Sequence, residues 1–435
     1  MTSPAPSGHE PPAVTLDDIR AAAVDLSEVI EPTPLEASRW LGALVGGEVS
    51  FKCENLQRAG SFKVRGAYTR MLRLDPVERA LGVVTASAGN HAQGVAVAAA
   101  MLGISATVFM PAGAPLPKEN ATRGYGADVR LGGSSIDECL VFAAQFAADT
   151  GATLIHPFDH PAVVAGQGTV GLEILQQCPD VATVVVPVGG GGLAAGLGIA
   201  LRRGSRARPR RSGPGVRLVG VQAGGAATYA RSLAAGHPVA RSSMPTMADG
   251  IAVGRPGDVP FRVLSGVDGF DEVREVSEES LSRAVLATLE RAKMVVEPAG
   301  AAGVAAVLDD PAAFEPPVVV VLSGGNVDPL LLSRIVRHGL VASSRYLSVA
   351  VRFPDRPGSL AALLARVAGT GANVLEVVHR RTSAELGLDD VEVDVDVETR
   401  GPAHCASILA ELRGAGYGVL ERTGAEFGGV ARPVG

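Results

Sequence analysis

Thr183–Gly196, TVVVPVGGGGLAAG, is the stretch on which the reading of the fold turns. Its first six residues are apolar or β-branched with no polar alternation, the pattern of a strand buried on both faces. Four glycines follow, and then Leu193-Ala194-Ala195 opens a helical pattern. A strand passing through glycine into a helix is the βα turn of an open parallel sheet, where ligands bind at the carboxyl ends of the strands. Gly189, Gly190, Gly191 and Gly192 put no side chain in a ligand's way, and their N–H groups at a helix start suit a phosphate. The plain alternative is a tight turn. No Lys-Ser or Lys-Thr follows, so this is not a P-loop. Gln222, not an acid, ends the next strand, which departs from the dinucleotide fingerprint. The tetrad points to a single phosphate.

The same alternation extends outward. Apolar runs at 82–86, 106–110, 153–155, 216–222 and 318–322 predict strands, and segments 91–102, 167–177, 193–202 and 277–292 predict helices. This is an α/β chain built on parallel sheets. Two further strand-end loops carry polar chemistry: Ser87-Ala88-Gly89-Asn90-His91 and Ser323-Gly324-Gly325-Asn326. Near residue 340 the pattern changes. From Tyr346 onward it predicts a compact βαββαβ unit, so the expected organisation is a first region over 1–340 and a second over 345–425.

Composition narrows the partners. With 39 basic and 45 acidic residues the net charge is −6, and aromatics make up 4%. Neither a basic field nor a stacking surface for nucleic acid is indicated. Cys53, Cys139, Cys178 and Cys405 have no metal-ligand or redox spacing, and the histidines do not cluster with acids, so no metal is expected. The first fourteen residues lack the pattern of a secretory signal, which predicts a cytoplasmic protein. Ala92–Met110 is nearly all apolar, but Gly103 divides it into a helix and a strand rather than a membrane span. Seven arginines between Arg202 and Arg217 are read as a solvated loop.

Lys63 stands in SFKVRGA, near a helix start. A lone lysine there is ordinarily a surface charge, but a phosphate-bearing cofactor held as a Schiff base needs one amine beside it. The segments ENLQRAGSFKVRGAY, TASAGNHAQGVA, FDHPAVVAGQGT, PVGGGGLAAG, EPAGAAG and LSGGNVD occur in that order. Together they closely resemble threonine ammonia-lyases, pyridoxal-phosphate enzymes of the tryptophan-synthase-β fold class (fold type II), from about Ile30 to His338. The resemblance implies a two-lobed catalytic region, with the smaller lobe at about 55–155. It also implies that Lys63 carries pyridoxal 5′-phosphate, Asn90 contacts its 3′-hydroxyl, Gly189–Gly192 with Leu193 bind its phosphate, and Ser323 partners its ring nitrogen. Ser87, Ala88, Gly89, Asn90 and His91 would hold the substrate. The implied reaction is loss of water from L-threonine to an enamine that water converts to 2-oxobutanoate and ammonia, with L-serine as a side substrate and a tetramer as the assembly. Whether its role is isoleucine synthesis or threonine breakdown stays open at this point.

Serine racemases and serine dehydratases resemble the same motifs. Racemases carry a serine immediately before the Gly-Asn pair, where this chain has Ala88. Those relatives also often bind a divalent cation through carboxylates where this chain has Gln222 and Thr228. Other β-replacing enzymes of the fold, and a non-catalytic amino-acid sensor, are the remaining alternatives. In the second region, Asp355-Arg356-Pro357-Gly358-Ser359-Leu360, Gly371-Ala372-Asn373-Val374 and His379-Arg380-Arg381 resemble the start of an ACT domain, a regulatory amino-acid-binding module. Pro357-Gly358 is expected to turn and Ser359 to cap the next helix. Arg356, Gly358 and Asn373 would contact an effector where two copies meet, with a module used only for dimerisation as the alternative.

Overall fold

The computed structural model describes residues 13–206, 215–381 and 389–421. The first twelve residues and the central part of the arginine run lie outside them. The chain divides into two compact units, one ending at Leu332 and the other beginning at Ser333.

Among the described residues the first unit holds two sheets. In the larger, the strands lie in the order β1 (Leu35–Ala37), β2 (Val49–Lys52), β10 (Val318–Val321), β7 (Thr183–Pro187), β8 (Arg217–Ala223), β9 (Glu272–Val276). Every pairing is parallel except that of β1 with β2. The smaller sheet runs β5 (Asp128–Leu131), β4 (Ala106–Met110), β3 (Val83–Ala86), β6 (Thr153–Leu154), and is parallel throughout. The central strands β7, β10 and β3 are buried at every residue, which is why they read as unbroken apolar runs. β5 and β9 lie at sheet edges, carry charge, and escape that pattern. The expected helix over 277–292 is α-helical only through Ala287 and closes in a π turn over Thr288–Ala292.

A buried charge network anchors the start of the helix that carries Lys63. Arg65, fully buried, donates through Nε and Nη2 to both oxygens of Glu54, at 2.8 and 2.9 Å. Its Nη1 reaches Glu173 at 2.5 Å and Thr169 at 3.0 Å. Lys52 Nζ donates to the other oxygen of Glu173 at 2.5 Å. Two cations face two anions, and Arg65 and Glu173 keep their charges: the carboxylates hold the guanidinium above its ordinary value, and Arg65 and Lys52 hold Glu173 below its own. Pairing both oxygens offsets the desolvation that an isolated buried charge would cost.

The second unit is one antiparallel sheet in the order β12 (Asn373–Arg380), β13 (Asp390–Glu398), β11 (Tyr346–Pro354), β14 (Gly418–Glu421). Helices Ser359–Gly369 and Pro402–Gly414 complete a strand-helix-strand-strand-helix-strand order. Val349, Val351, Val393 and Val395 pack with Leu363, Val367 and Ile408 as its core. One local expectation is corrected. Gly358, at φ +90°, occupies the N-cap and Ser359 is already the first helical residue, so its hydroxyl makes no cap. A left-handed cap conformation suits glycine, and it moves the helix start one position earlier than serine capping would place it.

Candidate active site

The strand-end loops of the first unit open on a cavity of about 780 Å³. Lys63, Ser87, Ala88, Gly89, Asn90, His91, Gly189–Gly192, Leu193 and Ser323 all line it. Residues from four separate stretches of sequence therefore meet in one place.

Lys63 begins the helix Lys63–Leu72. Its loop is tied to the Ser323 loop by backbone bonds, Phe62 N–H to the Ser323 carbonyl (3.3 Å) and Gly325 N–H to the Gly60 carbonyl (2.9 Å). The amine donates to the Pro157 carbonyl at 3.1 Å. Burial lowers its pKa to about 8, with Glu297 pulling the other way. Nearer neutrality than an ordinary lysine, it holds a larger free-base fraction.

The glycine tetrad is constrained from the protein side as well as the ligand side. A Cβ on Gly190 would lie 2.4 Å from the Phe158 ring, and one on Gly191, at φ +97°, 1.8 Å from the Tyr229 hydroxyl. Tyr229 is fully buried and donates to the Gly190 carbonyl at 3.1 Å. Gln222 stands behind it. Its Nε2 donates to Val188 O at 3.3 Å, and its Oε1 accepts from the backbone N–H of Thr228 and Tyr229. The Gln222 carboxamide is thus spent on backbone groups, and no cluster of three metal-ligating side chains occurs among the described residues. Phe158 opens the FDHPAVVAGQGT motif without being singled out there, and Tyr229 lies outside every motif, because nothing local marks a side chain that packs under a distant loop.

Asn90 opens the helix Asn90–Leu102 and is held from both ends of its amide. Nδ2 donates to Glu297 Oε1 at 2.5 Å, and Oδ1 accepts from Asn326 Nδ2 at 2.9 Å. Glu297 occupies the N-cap of the apolar helix Pro298–Asp309, yet makes no cap bond; its side chain turns to Asn90 instead. Burial first, then the Asp249 carboxylate, lift its pKa to about 7. The EPAGAAG motif contains Glu297 without singling it out, although it is the charged residue immediately ahead of a helix that is apolar until Asp309. His91 Nε2 lies 2.9 Å from the Ile155 carbonyl, and burial drops its pKa to about 3. Neutral and engaged, His91 pins its loop. At the cavity wall Lys118, on the helix Leu116–Gly124, pairs with Asp249 at 2.6 Å.

In the second unit Arg356, Gly358 and Asn373 are exposed, and one copy does not bring them together. Asn373 pairs with Glu398, which also pairs with Tyr346, at one end of the sheet. Arg356 and Gly358 follow Pro354, which pairs with Asp390 at the other end. Elsewhere, Arg202 pairs with Asp271, Arg203 with Asp268 and Arg217 with Glu272. No described helix is long and apolar enough to cross a membrane.

A glycine cradle where a Cβ would collide with Phe158, Tyr229 or Ile251, a buried amine of lowered pKa, an oriented amide and a hydroxyl share one cavity. That donor set fits pyridoxal phosphate: an anion for the cradle, an aldehyde for the amine, a ring for the amide and hydroxyl. Residues 26–324 match the family of pyridoxal-phosphate dependent enzymes, and the chain belongs to it. Within that family it is similar to the L-threonine ammonia-lyase of Thermotoga maritima, at 44% identity over 406 residues, 93% of this chain and 99% of that protein. Among solved structures, the T.th. threonine deaminase is 39% identical with a TM-score of 0.67, covering 72% of this chain and 99% of its own. Maize serine racemase is 35% identical with a TM-score of 0.68, covering 74% and 97%.

Proposed function

We propose that this chain is a threonine ammonia-lyase that removes water from L-threonine and releases an enamine, which water converts to 2-oxobutanoate and ammonia, with L-serine as a side substrate. The observation that carries the reading is the single cavity joining Lys63, Asn90, the Gly189–Gly192 cradle and Ser323, with Ala88 on the substrate loop. The 44% identity to an L-threonine ammonia-lyase supports it.

Bound pyridoxal phosphate supplies an electron sink for the substrate's α-carbon. The chain's own residues do the rest. Gly189–Gly192 and Leu193 hold the phosphate at the N-terminus of the helix Gly192–Arg206, where N–H groups and the dipole favour an anion. Asn90 addresses the ring oxygen and Ser323 the ring nitrogen; a neutral hydroxyl leaves that nitrogen unprotonated. Ser87–His91 receives the substrate carboxylate at the start of the helix Asn90–Leu102. Lys63, its free amine favoured by burial, takes the α-proton. Ala88 has no proton to give from the opposite face, which separates elimination from racemisation. The likeness to maize serine racemase keeps that second reading in the test.

The second unit is proposed to be an ACT-like regulatory module that pairs with another copy. Its strand-helix-strand-strand-helix-strand order supports this, as does the separation of Arg356 and Gly358 from Asn373 in one chain: an effector touching all three needs two copies. A cytoplasmic tetramer is the accompanying proposal. The experiment is to incubate the purified protein with L-threonine and follow 2-oxo acid, with Lys63→Ala as control. The visible cofactor band and any D-amino acid are measured alongside, and the assay is repeated with isoleucine and valine. Expected are 2-oxo acid in the wild type, none in the control, and no D-isomer. An unchanged rate in the control or the absence of a cofactor band would overturn the lyase reading. A flat response to both effectors would leave the second unit an assembly module.

A further inference from the structure

We propose that Glu297, acting through Asn90, is the positioning residue that sets both the orientation and the protonation of the ring-oxygen edge of this site. The inference rests on the lyase reading above and adds a residue to it. Three observations on different elements carry it.

The first is the bonding of the Asn90 amide. Its Oδ1 is occupied by Asn326, whose own Nδ2 also donates to the Ala59 carbonyl at 2.6 Å. With the oxygen so fixed, the NH₂ group must point to Glu297, which it meets at 2.5 Å, leaving its second N–H to the cavity. Glu297 therefore decides which way a cofactor-facing donor is aimed. The second is how little compensates Glu297. It is 2% exposed, and among the described residues its side chain has one hydrogen-bond partner, Asn90. Its backbone N–H binds the Gly324 carbonyl at 3.1 Å, next to Ser323, so the carboxyl is locked between the Asn90 and Ser323 loops. A Cβ on Gly324 would approach its Oε1 to 2.5 Å, so the loop has room only for glycine there.

The third is the set of charges around it. Asp249 repels its ionised form, while Lys118 and Lys63 attract it, and burial outweighs both, bringing the group to about pH 7. A carboxyl raised by burial to about 7, one hydrogen bond from the Asn90 amide, places a switchable charge at this edge of the site. When ionised, it strengthens the Asn90 bond and favours a proton on Lys63 Nζ. When protonated, it releases that bias.

The test uses the cofactor-loaded enzyme. The visible absorption band is titrated over pH 5 to 9 in the wild type, Glu297→Gln and Glu297→Asp, with cofactor content measured for each. Expected is a titration near pH 7 in the wild type and a shift of roughly one pH unit or more in Glu297→Gln at equal cofactor content. Glu297→Asp, which keeps the charge, should retain the titration. In Glu297→Gln, kcat should fall about tenfold while KM for L-threonine changes less than about twofold. A band titration and kcat profile in Glu297→Gln that superimpose on the wild type would overturn the proposal while leaving the lyase reading intact. If Glu297→Gln does not fold, the wild type decides alone: its band and its kcat profile must share a titration near pH 7, and without one the proposal falls. A wild type that binds no cofactor or releases no 2-oxo acid would instead overturn the lyase reading.

Discussion

The buried charges around Arg65 and those around Lys63 and Glu297, all within the first unit, are built to opposite ends. Around Arg65, two cations and two anions interlock with bidentate contacts, and the guanidinium and Glu173 are pushed further toward their charged forms. Around Lys63 and Glu297 the charges are under-compensated, and both groups move toward neutrality, to about 8 and about 7. Burial is nearly complete in both. What differs is the number of partners. The first cluster keeps the guanidinium and Glu173 charged, although burial lowers the pKa of the Lys52 amine, and it holds a backbone in place, whereas the second can exchange protons near neutral pH. Arg65 follows Lys63 closely on the same helix, so the rigid group braces the reactive one.

Breaking either group separates the two roles. Lys63→Ala should remove activity by about a thousandfold or more without a comparable loss of fold, read by 2-oxo acid production and circular dichroism. Arg65→Met should do the reverse in kind. It strands Glu54 and part of Glu173, and unfolding experiments should register a loss of roughly 3–5 kcal/mol. The pH dependence sharpens the contrast. Glu297 has a folded value above the ordinary 4.5, so its contribution to stability is fully present below that value and is lost as pH rises through about 7. Glu173 has a lowered folded value, so its contribution is present above the ordinary value and lost on acidification. Denaturation across pH 4 to 8 should therefore show wild type losing ground to Glu297→Gln as pH rises. It should lose its advantage over Glu173→Gln as pH falls. The smallest effect is expected from Tyr229→Phe, which frees the Gly190 carbonyl at a cost of about 1 kcal/mol. Cofactor titration should show roughly fivefold weaker retention.

Much of this is legible in the sequence. The strand at 183–188 is found as β7 within one residue, and the runs at 106–110 and 318–322 emerge as β4 and β10. Central parallel strands are apolar on both faces, so composition alone marks them. β1, β5 and β9 escape such a reading, because edge strands keep charged residues in contact with water. In the site, Lys63, Asn90, Ser323 and the glycine tetrad carry their own motifs; Phe158, Asn326 and Glu297 lie within quoted motifs but received no role, and Tyr229 lies outside all of them. Ser359 reads as a cap because its chemistry permits one, but the left-handed Gly358 takes that place.

The sequence by itself determined where the chemistry-bearing loops fall, since strand, glycine turn and helix follow from residues adjacent in the chain. It also determined the family, because six motifs in order are local facts. The tertiary structure decided what those residues experience. Asn90 and Glu297 are 207 residues apart and Arg65 and Glu173 are 108 apart. The tetrad must be glycine partly because Tyr229 and Phe158 press against it from elsewhere in the chain. Whether a buried charge is matched or left wanting depends on partners that only folding brings within reach, and that is what divides this molecule's brace from its reactive site.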